Sequence, residues 1–161
     1  MTIYHLAQIN IGRIRAPLED PLMAGFVDRL QAINRLADAA PGFVWRLQTD
    51  AGNATSIRPY EDERILINMS VWQSIEALWE YVYKSQHAEP LRLRSDWFEK
   101  MDSPYLALWW IPAGHIPTPL EGKERLDHLR RHGQTAHAFT FKSRFQMPDT
   151  EVTIGTGNAM T

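Results

Sequence analysis

The chain has 161 residues, of which 44% are hydrophobic, 11% aromatic and 22% charged, which suits one ordinary globular domain and excludes a mainly disordered protein. Its formal charge of −2 gives no electrostatic footprint for nucleic acid or an anionic membrane surface. It has no cysteine, which removes disulfides, thiol catalysis and Cys-ligated metals, and its six tryptophans are the one unusual entry in the composition.

Ile3 to Ile11 reads as a first strand interrupted by Gln8 and Asn10. Asp20 as N-cap and Pro21 at N1 then open a helix whose apolar face is Leu22, Phe26, Leu30, Ile33 and Ala37. Pro41-Gly42 ends it, and Phe43 to Gln48 is a second strand carrying Arg46. A turn over residues 50–53 leads to an extended stretch over 54–60 and a third strand, Arg64 to Trp72. Ser74 caps a second helix with Ile75, Leu78, Trp79 and Val82 inward. A short helix is expected between His87 and Met101, opened by Pro90 and carrying Leu91, Arg94, Trp97 and Phe98. Tyr105 to Ile111 is an aromatic fourth strand. Thr118-Pro119-Leu120-Glu121 is a capping box for a third helix that Gly133 ends, and Ala138 to Phe145 is a candidate last strand.

The order β-α-β-β-α-β is that of a ferredoxin-like α+β fold, an antiparallel sheet with helices on one face, over a single domain 1–147 and a loose tail 148–161. The third and fourth strands carry large apolar residues on both rows. Helices on one face leave the other to be covered, and a second copy is the simplest cover, so a homodimer closed as a dimeric α+β barrel is expected. The N-terminus shows no signal-peptide pattern and no apolar run reaches membrane-span length, so a cytoplasmic protein with neither nucleic-acid nor membrane partners is expected.

Asn68, Ser70 and Trp72 alternate on one strand and therefore share one face. With Arg46 in the second strand and Gln8 and Asn10 in the first, they form a polar set of the kind that lines ligand pockets. The bland alternative is a structural network in which Arg46 pairs with a carboxylate such as Glu76 or Glu99. Of the six tryptophans, Trp72 and Trp109 are assigned to the pocket and the others to the core. His87 can serve as a base or axial ligand, or simply neutralise a helix C-terminus. His115 sits in a Pro- and Gly-rich turn that could present it to a ligand, and structure alone explains the turn equally well. His128 and His132 are spaced i, i+4, but without a third ligand motif they read as a solvated helix face, so no metal site is expected. No Ser-His-Asp spacing, phosphate loop or dinucleotide fingerprint occurs.

The segments INIGRIRAPLEDP, PGFVWRL, INMSVWQSIEAL, HAEPLRLRSDWF, LALWWIPAGHIPT and AFTF, between about Ile9 and Phe141, resemble domain-of-unknown-function family 3291, within the antibiotic-biosynthesis-monooxygenase superfamily of dimeric α+β barrels. The resemblance implies a pocket between sheet and helices that takes a small apolar or aromatic molecule, and a cofactor-independent monooxygenase as one activity. In that chemistry His87 would be the base, Arg46 and Asn68 would hold the substrate anion, and Trp72 and Trp109 would stack on its ring. It equally implies a non-catalytic binding module. A third implication is a haem-binding or haem-degrading protein, with Asn10, Trp72 and His87 in the places of the haem-degrading members' trio. No cofactor is expected on the first two readings, haem on the third.

Overall fold

Strict alternation in three strands decides which residues this sheet shows to each side. The computed structural model describes residues 2–49, 52–84 and 94–148. In chain order the elements are β1 (Tyr4–Arg13), a 3-10 turn (Pro21–Met23), α1 (Ala24–Ala39), β2 (Phe43–Arg46), β3 (Ile65–Trp72), α2 (Ile75–Lys84), α3 (Arg94–Trp97), β4 (Leu106–Pro112) and α4 (Pro119–His132). The strands lie in the order β2-β3-β1-β4 with every neighbouring pair antiparallel, the ferredoxin-like arrangement. Among the described residues no helix is long and apolar enough to cross a membrane.

Local side-chain chemistry starts the helices where expected. Asp20 accepts a hydrogen bond from the Leu22 N–H, Ser74 Oγ from Ala77 N–H and Thr118 Oγ1 from Glu121 N–H. The first of these opens a 3-10 turn ahead of α1. The tighter turn buries Met23 completely and rotates Leu22, expected on the apolar face, out to 52% exposure.

One row of the sheet is apolar throughout: Ala7, Ile9 and Ile11 of β1, Ile65, Ile67, Met69 and Val71 of β3, and Ala107, Trp109 and Ile111 of β4. Its cover comes from within the chain. Leu126 and Leu129 of α4 pack on it, with Ile57 and Tyr60 of the β2–β3 connection. At Gly122 a Cβ would stand 2.9 Å from Ile9 Cδ1 and 3.0 Å from Met69 Cε, so glycine lets α4 sit this close to the sheet. Helices therefore lie on both faces. The premise that a second copy must cover the apolar row is corrected, because α4 was read as a helix but not as the lid of that face.

Three boundaries also differ. β2 ends at Arg46, where its register with β3 is already irregular, and Leu47 N–H reaches the Met69 carbonyl. The stretch over 54–60 forms no strand and opens with a turn, since Ile57 N–H bonds back to the Ala54 carbonyl. The expected last strand reduces to one bridge, where Phe139 and Leu108 exchange N–H···O bonds of 2.7 and 2.9 Å before Thr140 turns the chain away. The short helix anticipated after α2 is described only from Arg94 on. The tail expected over 148–161 lies, from residue 149 onward, outside the described residues.

Candidate functional site

The second row of the sheet is mixed, and the pairing register concentrates its polar members. Gln8 stands opposite Ser70 and Asn10 opposite Asn68, with Leu6 opposite Trp72 at one end and Gly12 opposite Leu66 at the other. Arg46 joins from β2, opposite Ser70 on its other side. This row faces α1 and α2. Leu30 and Ile33 on the inner face of α1 stand over these polar groups and remain only half-buried, while Phe26 packs on Trp97 and Phe98. The result is a cavity of about 670 Å³ between helices and sheet, within the ordinary size range of small-molecule sites.

The polar strip is wired internally. The Gln8 amide donates to Asn68 Oδ1 (2.7 Å) and to Ser70 Oγ (2.8 Å), and its carbonyl accepts from Asn10 Nδ2 (3.1 Å). Asn10 Nδ2 also reaches Asn68 Oδ1 at 3.2 Å. The Trp72 indole N–H donates to Ser70 Oγ at 2.7 Å. Ser70 Oγ thus accepts twice, which leaves its own O–H as a donor. Together with the Asn68 amide N–H groups and the Asn10 carbonyl, this is the hydrogen-bonding capacity that the strip presents to the cavity.

The sequence-predicted residues separate into three groups. Asn10, Asn68, Arg46 and Trp72 line the cavity. Trp72 does so as a wall. It is 1% exposed, stacked on Tyr81 with centroids 5.1 Å apart and met edge-on by Phe43, so its faces are occupied by protein rather than open to a ligand ring. Arg46 is neutralised, by Asp38 at the end of α1 rather than by Glu76 or Glu99. Nε and Nη2 contact the two carboxylate oxygens at 2.7 and 3.3 Å, and Nη1 donates to the Gly52 carbonyl. Glu99 instead meets Arg64 at 3.0 Å. Arg46 thereby ties α1 to β2 and keeps little charge for an anion.

Trp109 is a correction. Period-two alternation places it on the apolar row, fully buried, with its indole N–H on Glu121 Oε2 at 3.0 Å, across the sheet from the cavity. His87 lies outside the described residues. His115 contacts Glu121 at 2.7 Å in the loop before α4. His128 and His132 stack at 4.4 Å and are joined by His137, which Glu124 holds, but no group of side chains suited to a metal ion occurs among the described residues.

Two residues at the site escaped the sequence reading as functional candidates. The Tyr81 hydroxyl donates to the Ile33 carbonyl at 3.1 Å and braces α1 against α2, and burial pushes its pKa upward. Arg94 closes one end of the cavity. Its signal was present, because a charged residue falls within the apolar pattern of Leu91, Trp97 and Phe98.

The profile of the family described as a domain of unknown function, DUF3291, matches residues 5–154. No curated protein matches the chain. Similar solved structures include a conserved protein from Methanosarcina mazei Go1, 12% identical over 68% of this chain and 92% of that one, with a TM-score of 0.49. Rv0793 from Mycobacterium tuberculosis is 16% identical over 71% and 98%, with a TM-score of 0.45. SnoaB, a cofactor-independent oxygenase from Streptomyces nogalater, is 13% identical over 70% and 95%, with a TM-score of 0.43. At such identities a likeness carries no chemistry from one protein to the other.

Ser70→Ala removes the acceptor of two buried donors, the Gln8 amide and the Trp72 indole. Stranding them costs about 1–3 kcal/mol, and the thermal midpoint should fall by about 2–12 °C. A melt that superimposes on wild type would show that other acceptors serve both groups.

Proposed function

The chain belongs to the DUF3291 family, and we propose that it binds a small, largely apolar or aromatic molecule in the cavity between the polar strip and the inner faces of α1 and α2. The observation that supports this is a helix face of Phe26, Leu30, Ile33 and Ala37 held over a row of amides and a hydroxyl with donors to spare. Apolar walls would take the body of the ligand. Asn68, Asn10 and Ser70 would orient its polar group through the hydrogen bonds the strip does not use on itself.

The reading stops at binding. Oxygenation needs a base beside the ligand; the base expected from the sequence, His87, lies outside the described residues, and Asp102, at the exposed rim, is the one carboxylate in the described lining. The described lining offers no imidazole, thiolate or thioether to ligate iron, and the axial histidine of the haem alternative, His87, lies outside the described residues, so the reading carries no haem.

We keep the homodimer within the proposal, seated away from the apolar row. The Ala113 N–H bonds to the Ile3 carbonyl, bringing Ile3 to the end of the sheet where β4 runs into α4. Ile3, Ile116 and Leu120 are 69%, 59% and 69% exposed there, an apolar surface suited to a partner. Sedimentation at low micromolar concentration should give a species above the 18.6 kDa chain mass, shifted toward the monomer by Leu120→Glu. A wild-type monomer removes this part of the reading.

Calorimetric titration with 2-naphthol tests the cavity itself. Saturable binding near one molecule per chain is expected. Leu30→Trp, which fills the cavity from α1, should weaken it by about tenfold or more while the fold still melts cooperatively. Absence of saturable binding, or equal affinity in the variant, would overturn the assignment.

A further inference from the structure

The arginines of the described structure differ in what answers their charge. Arg46 has Asp38, Arg13 has Asp62 at 2.8 Å and Arg64 has Glu99. Arg94 is more enclosed than Arg64, yet no carboxylate among the described residues lies within salt-bridge distance of it. Burial depresses its pKa in consequence.

Its position is nonetheless carefully held. The guanidinium lies 4.7 Å from the Phe98 ring centroid and 4.7 Å from that of Tyr105, and Nη2 donates to the Ile11 carbonyl at 2.8 Å. Gly12 makes the room. A Cβ there would stand 2.5 Å from Phe98 Cδ1 and 3.0 Å from Arg94 Nη2. Two aromatic rings and one carbonyl thus fix a planar fork of five N–H donors, and among the described residues only one acceptor is provided for it. The fork lines the cavity beneath α1 and also a smaller adjoining one that contains Arg15, Lys100 and Glu99; Glu99 is held by Arg64, so the local balance is cationic. Asp102 and Lys142, the remaining charged residues of the main lining, are both exposed.

We propose that Arg94 is the anchor for a carboxylate, and that the ligand class is an aromatic or otherwise apolar acid whose body lies in the cavity beneath α1. This rests on the binding function proposed above and names its substrate class. The register adds a constraint. Gly12 follows Asn10 by two residues on the same face, so Arg94 and the Asn10–Asn68 rung are about 7 Å apart along the strand. A planar acid with a second polar group, such as a hydroxyl, at its far end fits that span.

Titration of wild type, Arg94→Gln and Arg94→Lys with 2-naphthoate and its neutral analogue 2-naphthamide provides the test. Wild type should prefer the acid by about tenfold or more, the usual scale for a charge-assisted pair. Arg94→Gln should abolish the preference, weakening naphthoate by more than it weakens naphthamide, whereas Arg94→Lys should retain part of it. If Arg94→Gln does not fold, the wild-type preference must shrink as salt is raised, and a salt-independent ratio overturns the proposal. Equal affinity for acid and amide in wild type, or a preference that survives in Arg94→Gln, refutes the anchor while leaving the cavity as a binding site. Failure of both probes to bind refutes the anchor and the binding function together.

Discussion

Pairing of β1 with β3 in a single register determines both what holds this domain together and what it leaves open. With Gln8 opposite Ser70 and Asn10 opposite Asn68, every polar side chain of the two central strands' middle rungs falls on the side of α1 and α2. A slip of one residue would carry that set to the other face, among the isoleucines. The amides hold one another in place and still turn the Asn68 N–H groups and the Ser70 O–H toward the space beneath α1, so closing the helix over them would bury donors without acceptors. The middle of α1 therefore stands off the strip, while Phe26 at its start packs on Trp97 and Phe98.

The opposite face supplies what the cavity side withholds. Ile9, Met69, Val71 and Trp109 are between 0 and 2% exposed beneath α4, and Gly122 brings that helix into direct contact with the sheet. Apolar packing is continuous on that side of the sheet, whereas the cavity side has two separate apolar clusters, around Trp72, Leu78 and Phe139 at one end and around Met23, Trp97 and Phe98 at the other, with the partly open interior between them. Trp72, Tyr81 and Phe43 mark the border. Their rings close one end of the cavity, as Arg94, Phe98 and Tyr105 close the other.

Features that depend on neighbouring residues were legible in the sequence. The caps at Asp20, Ser74 and Thr118, the alternation within β3 and β4, and the order of elements all follow from interactions within a few positions. Asn68, Ser70 and Trp72 could be placed on one face by period alone. Features set by distant pairing were not legible. Whether the mixed row or the apolar row faces α1 depends on the register, so Trp109 was placed on the wrong side. Arg46 was visible as a half-buried charge, but its partner Asp38 emerges only when the end of α1 turns back on β2. Arg94 passed as one member of an otherwise apolar helix pattern, and its lack of a counter-ion among the described residues requires the packing of Gly12, Phe98 and Tyr105 to be seen.

The central claim is that the space beneath α1 is a standing cavity that takes an apolar acid with its carboxylate toward Arg94. A crystal structure of the protein soaked with 2-naphthoate tests it most directly. The account predicts the naphthalene ring against Leu30 and Ile33, and the carboxylate within hydrogen-bond distance of the Arg94 guanidinium. Phe26 and Leu30 packed down onto Asn10 and Asn68 with no room between them, or the probe bound elsewhere on the molecule, would contradict it.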